Sequence, residues 1–319
     1  MKRPPHFLRP ITAFTLTAVA LAACGSDEAA TTSQDQIPKV VATTSIWGDI
    51  TANVACDGLA EVETIIPLGG DPHSFEASLR DRETMEGAVL IVANGLSLEE
   101  SLADTLDAVE AGGVVVINAA DGIDTIPIGA SGIENDSHDD DDHSGDDPHV
   151  WLDPTRVIAT LPTIANALAE TGIDEGALEV CVADYTDKLQ ALDEEIETIL
   201  ATVDETDRLL VTNHDSLGYF ADRYDFTVVG SVIPSPSTLA ETNPAELEEL
   251  AELIESTQVG AIFAETQHSS SDAQALAARV GDIEVITLRT ATLDASGTAG
   301  ETYVGWLLEN ARLIAEGLQ

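Results

Sequence analysis

From residue 39 onward, short apolar runs alternate with longer amphipathic stretches. The runs at 40–45, 62–67, 89–93 and 114–118 are short, apolar and rich in Val and Ile. They predict strands buried on both faces. Between them, 46–56, 75–87 and 98–110 carry apolar residues at helical spacing, and Gly87 is a common kind of helix stop. Such alternation predicts a parallel sheet with helices on both sides. The pattern breaks at 134–147, where Asp dominates and nothing can build a core. That stretch predicts a surface loop.

Two helical patterns follow, 154–170 and a longer one at 175–203. In the second, Val182, Tyr185, Leu189, Leu192, Ile196 and Ile199 keep three- and four-residue spacing. Strand and helix signals then alternate again. Strands are predicted at 208–212, 227–232, 260–264 and 284–288. Helices are predicted at 216–224, 244–257, 272–280 and from about 300 to the end. The fold class is therefore α/β, with two lobes, each a mostly parallel sheet flanked by helices. The lobes span 38–173 and 206–319, and one long rigid helix at 174–205 links them. The expected site is the cleft between the lobes.

The first residues change the picture of where the chain works. Lys2, Arg3 and Arg9 precede a short apolar stretch, and Leu21-Ala22-Ala23-Cys24 follows. This reads as an export signal over 1–23, too short in its apolar run to span a membrane. The Cys at the cut has the form of a bacterial lipobox. Its thiol, lipidated, would anchor the mature chain to a membrane, with 24–37 as a flexible tether. Cys56 and Cys181 are the two other cysteines. In an exported protein they are candidates for a disulfide, a pairing that spacing alone leaves open. The formal charge is −45. Nucleic-acid binding needs a basic footprint and is excluded, while cations would be attracted by the summed field.

Three of the seven histidines stand where a strand-like run gives way to a turn or helix. They occur as Asp71-Pro72-His73-Ser74-Phe75, Asp147-Pro148-His149-Val150-Trp151-Leu152-Asp153-Pro154 and Asn213-His214-Asp215-Ser216-Leu217-Gly218-Tyr219-Phe220. Asp294 lies in the loop after the strand at 284–288. In open α/β sheets, ligands bind beyond the carboxyl ends of strands. His73 and His149 from the first lobe and His214 and Asp294 from the second are thus expected to close a four-donor shell. Three imidazoles and a carboxylate suit Zn²⁺. Asn213 is expected to cap a helix whose positive end keeps His214 neutral. Asp71, Asp147, Asp153, Asp215 and Glu265 are candidates to orient the rings, and Glu265 could substitute as a ligand. No His-Glu-x-x-His, Gly-x-Ser-x-Gly or phosphate loop is present.

These phrases, with Phe263-Ala264-Glu265-Thr266-Gln267 and Leu293-Asp294, resemble those of cluster A-I solute-binding proteins of metal-importing ABC transporters, the ZnuA/TroA-like group. The resemblance covers essentially all of the mature chain. It implies that His73 and His149 are ligands, and that His214 occupies the third position, which is His in zinc-type members and usually Glu in manganese-type members. Asp294-Ala295-Ser296-Gly297 fits the phrase of the fourth ligand, which some zinc members lack. The acidic loop is similar to a His-rich loop that gathers metal, here with only His138 and His143. The Asp run would hold other cations weakly too, so an ordinary solvated linker is the other reading.

The expectation is an exported, monomeric, lipid-anchored zinc receptor, not an enzyme, that delivers Zn²⁺ to an ABC permease in the cytoplasmic membrane. Mn²⁺ or iron is the alternative cargo. A zinc-dependent hydrolase and a surface adhesin are the alternatives of other classes.

Overall fold

The computed structural model describes residues 37–130, 145–267, 269–281 and 283–319. The expected leader with Cys24, the expected tether up to residue 36, and His138 and His143 lie outside the described residues.

In the first half, β1 (Lys39–Ala42), β2 (Glu61–Thr64), β3 (Leu90–Ala93) and β4 (Val115–Asn118) form a parallel sheet in the order β2-β1-β3-β4. In the second half, β5 (Leu209–His214), β6 (Thr227–Ile233), β7 (Ala261–Glu265) and β8 (Glu284–Leu288) repeat it as β6-β5-β7-β8. In each sheet the chain winds first to one side of its founding strand and then to the other. A crevice therefore opens at the carboxyl ends between β1 and β3, and again between β5 and β7.

The helices are α1 (Ser45–Val54), α2 (Leu79–Glu86), α3 (Ala103–Ala111), α4 (Pro154–Glu170), α5 (Glu175–Leu200), α6 (Gly218–Tyr224), α7 (Pro244–Thr257), α8 (Ser271–Arg279) and α9 (Tyr303–Gly317). Their starts follow local chemistry. Asp153 accepts the Thr155 N–H to open α4, with Pro154 at the first helical position. Asp174 does the same for α5 through the Ala177 N–H.

Strand alternation divides the apolar residues between three cores. Val40, Ala42, Leu90, Leu210, Ala261 and Phe263 face one central core shared by both halves, with Trp47, Trp151, Tyr185, Tyr219 and Trp306. Val41 and Ile91 face the opposite side of the first sheet, over Met85 and Leu102. Val211 and Ile262 do so in the second, over Leu250 and Leu276. Each large buried side chain contributes roughly 2 kcal/mol, so separating the halves enough to wet four of them would cost on the order of 8 kcal/mol. Helix α5 buries Leu178, Tyr185, Leu189, Leu192 and Ile196 in the shared core. A disulfide joins Cys56, just beyond α1, to Cys181 in α5, with 5.7 Å between the Cα atoms.

Three elements differ from the sequence reading. The helix expected at 75–87 starts only at Leu79, because Ser78 and Asp81 form a reciprocal cap there. The helix expected from 98 starts as a 3-10 turn, Glu100–Leu102, after Gly95, Leu96 and Ser97 all adopt positive φ. Strand β5 continues through Asn213 and His214, so Asn213 caps no helix. Helix α6 begins later, with no side-chain cap.

Candidate metal centre

The two winding patterns put chemistry at their crevices. His214 ends β5, and Glu265 ends the neighbouring β7. His73 lies in the turn region after β2, and His149 immediately precedes a 3-10 turn, Val150–Leu152. All three histidines are buried, at 2, 1 and 3 % exposure for His73, His149 and His214. One nitrogen from each lies within 4.8 Å of the others. Their ring centroids are 5.1 to 5.8 Å apart, and the Nε2 atoms of His149 and His214 are 3.2 Å apart.

Buried carboxylates hold two of the rings from behind. Asp147 accepts the His149 backbone N–H at 2.9 Å and sits 2.7 Å from its Nδ1. Glu265 lies 2.5 Å from His214 Nδ1 and accepts a hydrogen bond from the Ser216 hydroxyl. With Nδ1 turned to a carboxylate, each ring presents Nε2 to the centre, the usual arrangement for metal-bound imidazole. Trp151 packs edge-on against His149, and its indole N–H donates to the Thr290 carbonyl.

The electrostatics separate the three rings. Burial, then the neighbouring His149 and His214, push His73 down to about 3. Burial likewise holds His149 well below its ordinary value. Both are neutral at pH 7, as ligation requires. Burial also acts to lower His214, but the Glu265 carboxylate outweighs it and raises the imidazole above its usual range. This replaces the expected helix-dipole effect, since His214 sits in a strand. Burial pushes Asp147 up to about 7.

The remaining acids are distributed differently from the sequence reading. Asp294 does not join the three rings; its carboxylate is paired with Arg289. Asp71 accepts the His73 backbone N–H, the Ser74 hydroxyl and the Thr238 hydroxyl, so it shapes the turn rather than holding the ring. Asp153 caps α4 and pairs with Arg156. Asp215 pairs through its backbone N–H with the Ser235 carbonyl, and its charge helps to raise His214. One acid escaped sequence reasoning: Glu100, whose Oε1 lies 3.5 Å from His73 Nδ1. No motif marks it; only the fold brings it to the ring.

A pocket of about 240 Å³ opens beside His73, walled by Ser97, Glu100, Asp146, Pro148 and Pro236 among others. It joins loops of both halves at the mouth of the crevice.

Comparison with known proteins gives the family. The chain is 27% identical over 308 residues to the "Manganese-binding lipoprotein MntA" of Halalkalibacterium halodurans, covering 96% of this chain and 97% of that one. It is 29% identical over 311 residues to the "Manganese ABC transporter substrate-binding lipoprotein PsaA" of Streptococcus pneumoniae serotype 4, covering 95% and 96%. The periplasmic zinc binding protein TroA from Treponema pallidum superposes with a TM-score of 0.78 at 26% identity, covering 89% of this chain and 99% of that one. A mutant, Mn-bound periplasmic metal binding protein from Candidatus Liberibacter asiaticus gives 0.76 at 26% identity, covering 88% and 100%. The family model described as "Zinc-uptake complex component A periplasmic" matches residues 40–317. The chain therefore belongs to the ZnuA family and is an extracytoplasmic, membrane-anchored, metal-binding substrate-binding protein of an ABC transporter, not an enzyme.

Proposed function

We propose that the chain captures Zn²⁺ with His73, His149 and His214, completes the shell with Asp294, and delivers the ion to an ABC permease. The observation that carries this reading is the convergence of three buried imidazole nitrogens. Two of the rings are held neutral by burial. Three nitrogens and one oxygen match a tetrahedral zinc shell. Zn²⁺ also stands well above Mn²⁺ in the general order of affinities for such sites.

Asp294 would reach the ion by leaving Arg289. Because both halves share one core, release would use a small shift of this loop rather than a wide opening. Cys24 would carry the lipid, His138 and His143 would gather metal ahead of the site, and the receptor would act as a monomer.

Manganese is the second reading, favoured by two relatives named as manganese-binding at 27 and 29% identity. Elemental analysis of purified protein and competitive calorimetry with both ions test the choice. Zinc is expected at one equivalent and with the tighter binding. A preference for Mn²⁺ would overturn zinc as cargo while leaving the site.

A further inference from the structure

Each metal-facing histidine has a carboxylate near its outer nitrogen, but the three pairs are not alike. Asp147 behind His149 is 3 % exposed and 2.7 Å from the ring. Glu265 behind His214 is equally buried and 2.5 Å away. Glu100 stands 3.5 Å from His73 Nδ1, has a side chain 36 % exposed, and lines the pocket that His73 also lines. At that distance no hydrogen bond forms. Both ring nitrogens of His73 are buried without a hydrogen-bond partner, an arrangement that costs free energy unless something completes it. Asp71 does not supply the partner, because its oxygens serve the turn and Thr238.

The position of Glu100 is built, not incidental. Gly95, Leu96 and Ser97 have φ of 85°, 54° and 60°. Non-glycine residues rarely adopt such values, and the strain persists only where the surroundings enforce it. This bend turns the chain so that the Glu99 carboxylate accepts the Thr43 hydroxyl and the Asn94 N–H, each at 2.7 Å. The next residue, Glu100, is thereby aimed at the pocket. The Ser101 N–H donates to the His73 carbonyl at 3.2 Å, which ties the turn carrying Glu100 to the backbone of the histidine itself.

We infer that Glu100 is a positioning residue for His73, and that this pair is a second movable ligand, beside the Asp294 loop, through which a divalent cation enters and leaves by the pocket. This rests on the metal-binding reading above. When an ion sits on His73 Nε2, the Nδ1–H closes the 3.5 Å gap and donates to Glu100, which orients the ring and strengthens its donor nitrogen. When the pair opens, His73 is the ring free to turn toward the mouth, while His149 and His214 stay fixed by buried carboxylates.

The test uses the full chain and Zn²⁺. Zinc release is followed by stopped flow into a chromophoric chelator for the parent, Glu100→Gln, Glu100→Asp and Asp146→Asn. Loss of a carboxylate behind a metal-bound histidine typically costs about 10-fold or more in affinity, so Glu100→Gln should release zinc about tenfold faster. Glu100→Asp should recover part of that loss. Asp146→Asn, at the same mouth but away from the ring, should slow capture at low salt and leave release unchanged. In ¹⁵N–¹H spectra of the loaded protein, Glu100→Gln should move the His73 Nδ1–H signal and leave those of His149 and His214 in place. Parental release rates in Glu100→Gln, or joint movement of all three imidazole signals, would overturn the role of Glu100 with the cargo intact. Absence of zinc uptake by the parent would overturn both.

Discussion

Arg289 decides whether Asp294 is a ligand. The guanidinium is paired with the Asp294 carboxylate. Its backbone is fixed by Asn310, which accepts the Arg289 N–H at 3.1 Å and donates to its carbonyl at 2.7 Å. The aspartate is therefore the partner that must move. If Asp294 completes the metal shell, binding has to break this ion pair. The two side chains are 38 and 20 % exposed, which places the pair at the upper end of surface bridges, about 1 kcal/mol. Arg289→Gln removes that opposing interaction. Zinc affinity should then rise about fivefold, the factor that 1 kcal/mol represents. Asp294→Asn should weaken binding, and the double variant should match Asp294→Asn, since the arginine then has nothing to withhold. Chelator competition titrations of the four proteins measure this. If Asp294→Asn binds like the parent, or if Arg289→Gln acts equally in both backgrounds, Asp294 is not the fourth donor.

Other perturbations probe the supports of the site. Gly218→Ala would place a Cβ 2.4 Å from Asp147 Oδ2, pushing away the carboxylate that orients His149; zinc binding should weaken about tenfold with unchanged far-UV circular dichroism, and parental affinity would contradict that role for Asp147. The Cys56–Cys181 bond spans 125 residues. Replacing both cysteines by Ser should cost about 5 kcal/mol by chain entropy, or about 10 °C in Tm, without changing zinc affinity; an unchanged Tm in calorimetry would refute it. Glu265, on Nδ1, favours the doubly protonated His214 ring, and zinc must displace the Nε2 proton, so affinity should fall about tenfold per unit as pH drops below the raised His214 pKa. Through His214 the metal-free fold should respond in the opposite sense, and through Glu265 in the same sense. His214, raised above 6.5, stabilises it fully below that value and loses this as pH rises through the folded pKa. Glu265, lowered below 4.5, contributes above that value and loses it as pH falls. The zinc-induced rise in Tm should therefore shrink on acidification, and a constant rise would count against this linkage.

The alternation of short apolar runs with amphipathic stretches was sufficient to read two parallel sheets, although only inner strands such as β3 and β7 are buried on both faces, while the edge strands β2 and β4 are exposed or half-buried. The three histidines were legible from their local phrases, with His214 ending β5 and His73 in the turns after β2, where the carboxyl ends of strands present side chains, and His149 just ahead of a 3-10 turn. The carboxylates behind them were less so. Asp71-Pro72-His73 and Asp147-Pro148-His149 are the same phrase, and in both the Asp accepts the His backbone N–H. Only Asp147 also reaches the ring. Asp71 is drawn off by Ser74 and by Thr238, 167 residues away in sequence. Asn213 looked like a helix cap because capping is a local rule, yet pairing of His214 with Ile233 on β6 carries the strand past it. Arg289 and Asp294 could not be paired from the sequence without knowing how their loop folds.

The partners hardest to foresee come from elsewhere in the chain, as Thr238 does for Asp71 and Glu100 for His73, whereas Asp153 is taken by its neighbours Thr155 and Arg156. The same distinction explains the unequal grip on the three rings. His149 is held by an acid two residues away within one rigid turn, and His214 by an acid on an adjacent strand of the same sheet. His73 alone depends on a carboxylate from a different loop, set at the edge of a pocket. A receptor that must hold its cargo and then surrender it gains from such inequality. Two rings anchored by short, buried contacts keep the site preformed, so capture needs little ordering. One ring with a longer, solvent-facing contact supplies the low-cost motion that release requires, without separating halves that share a common core.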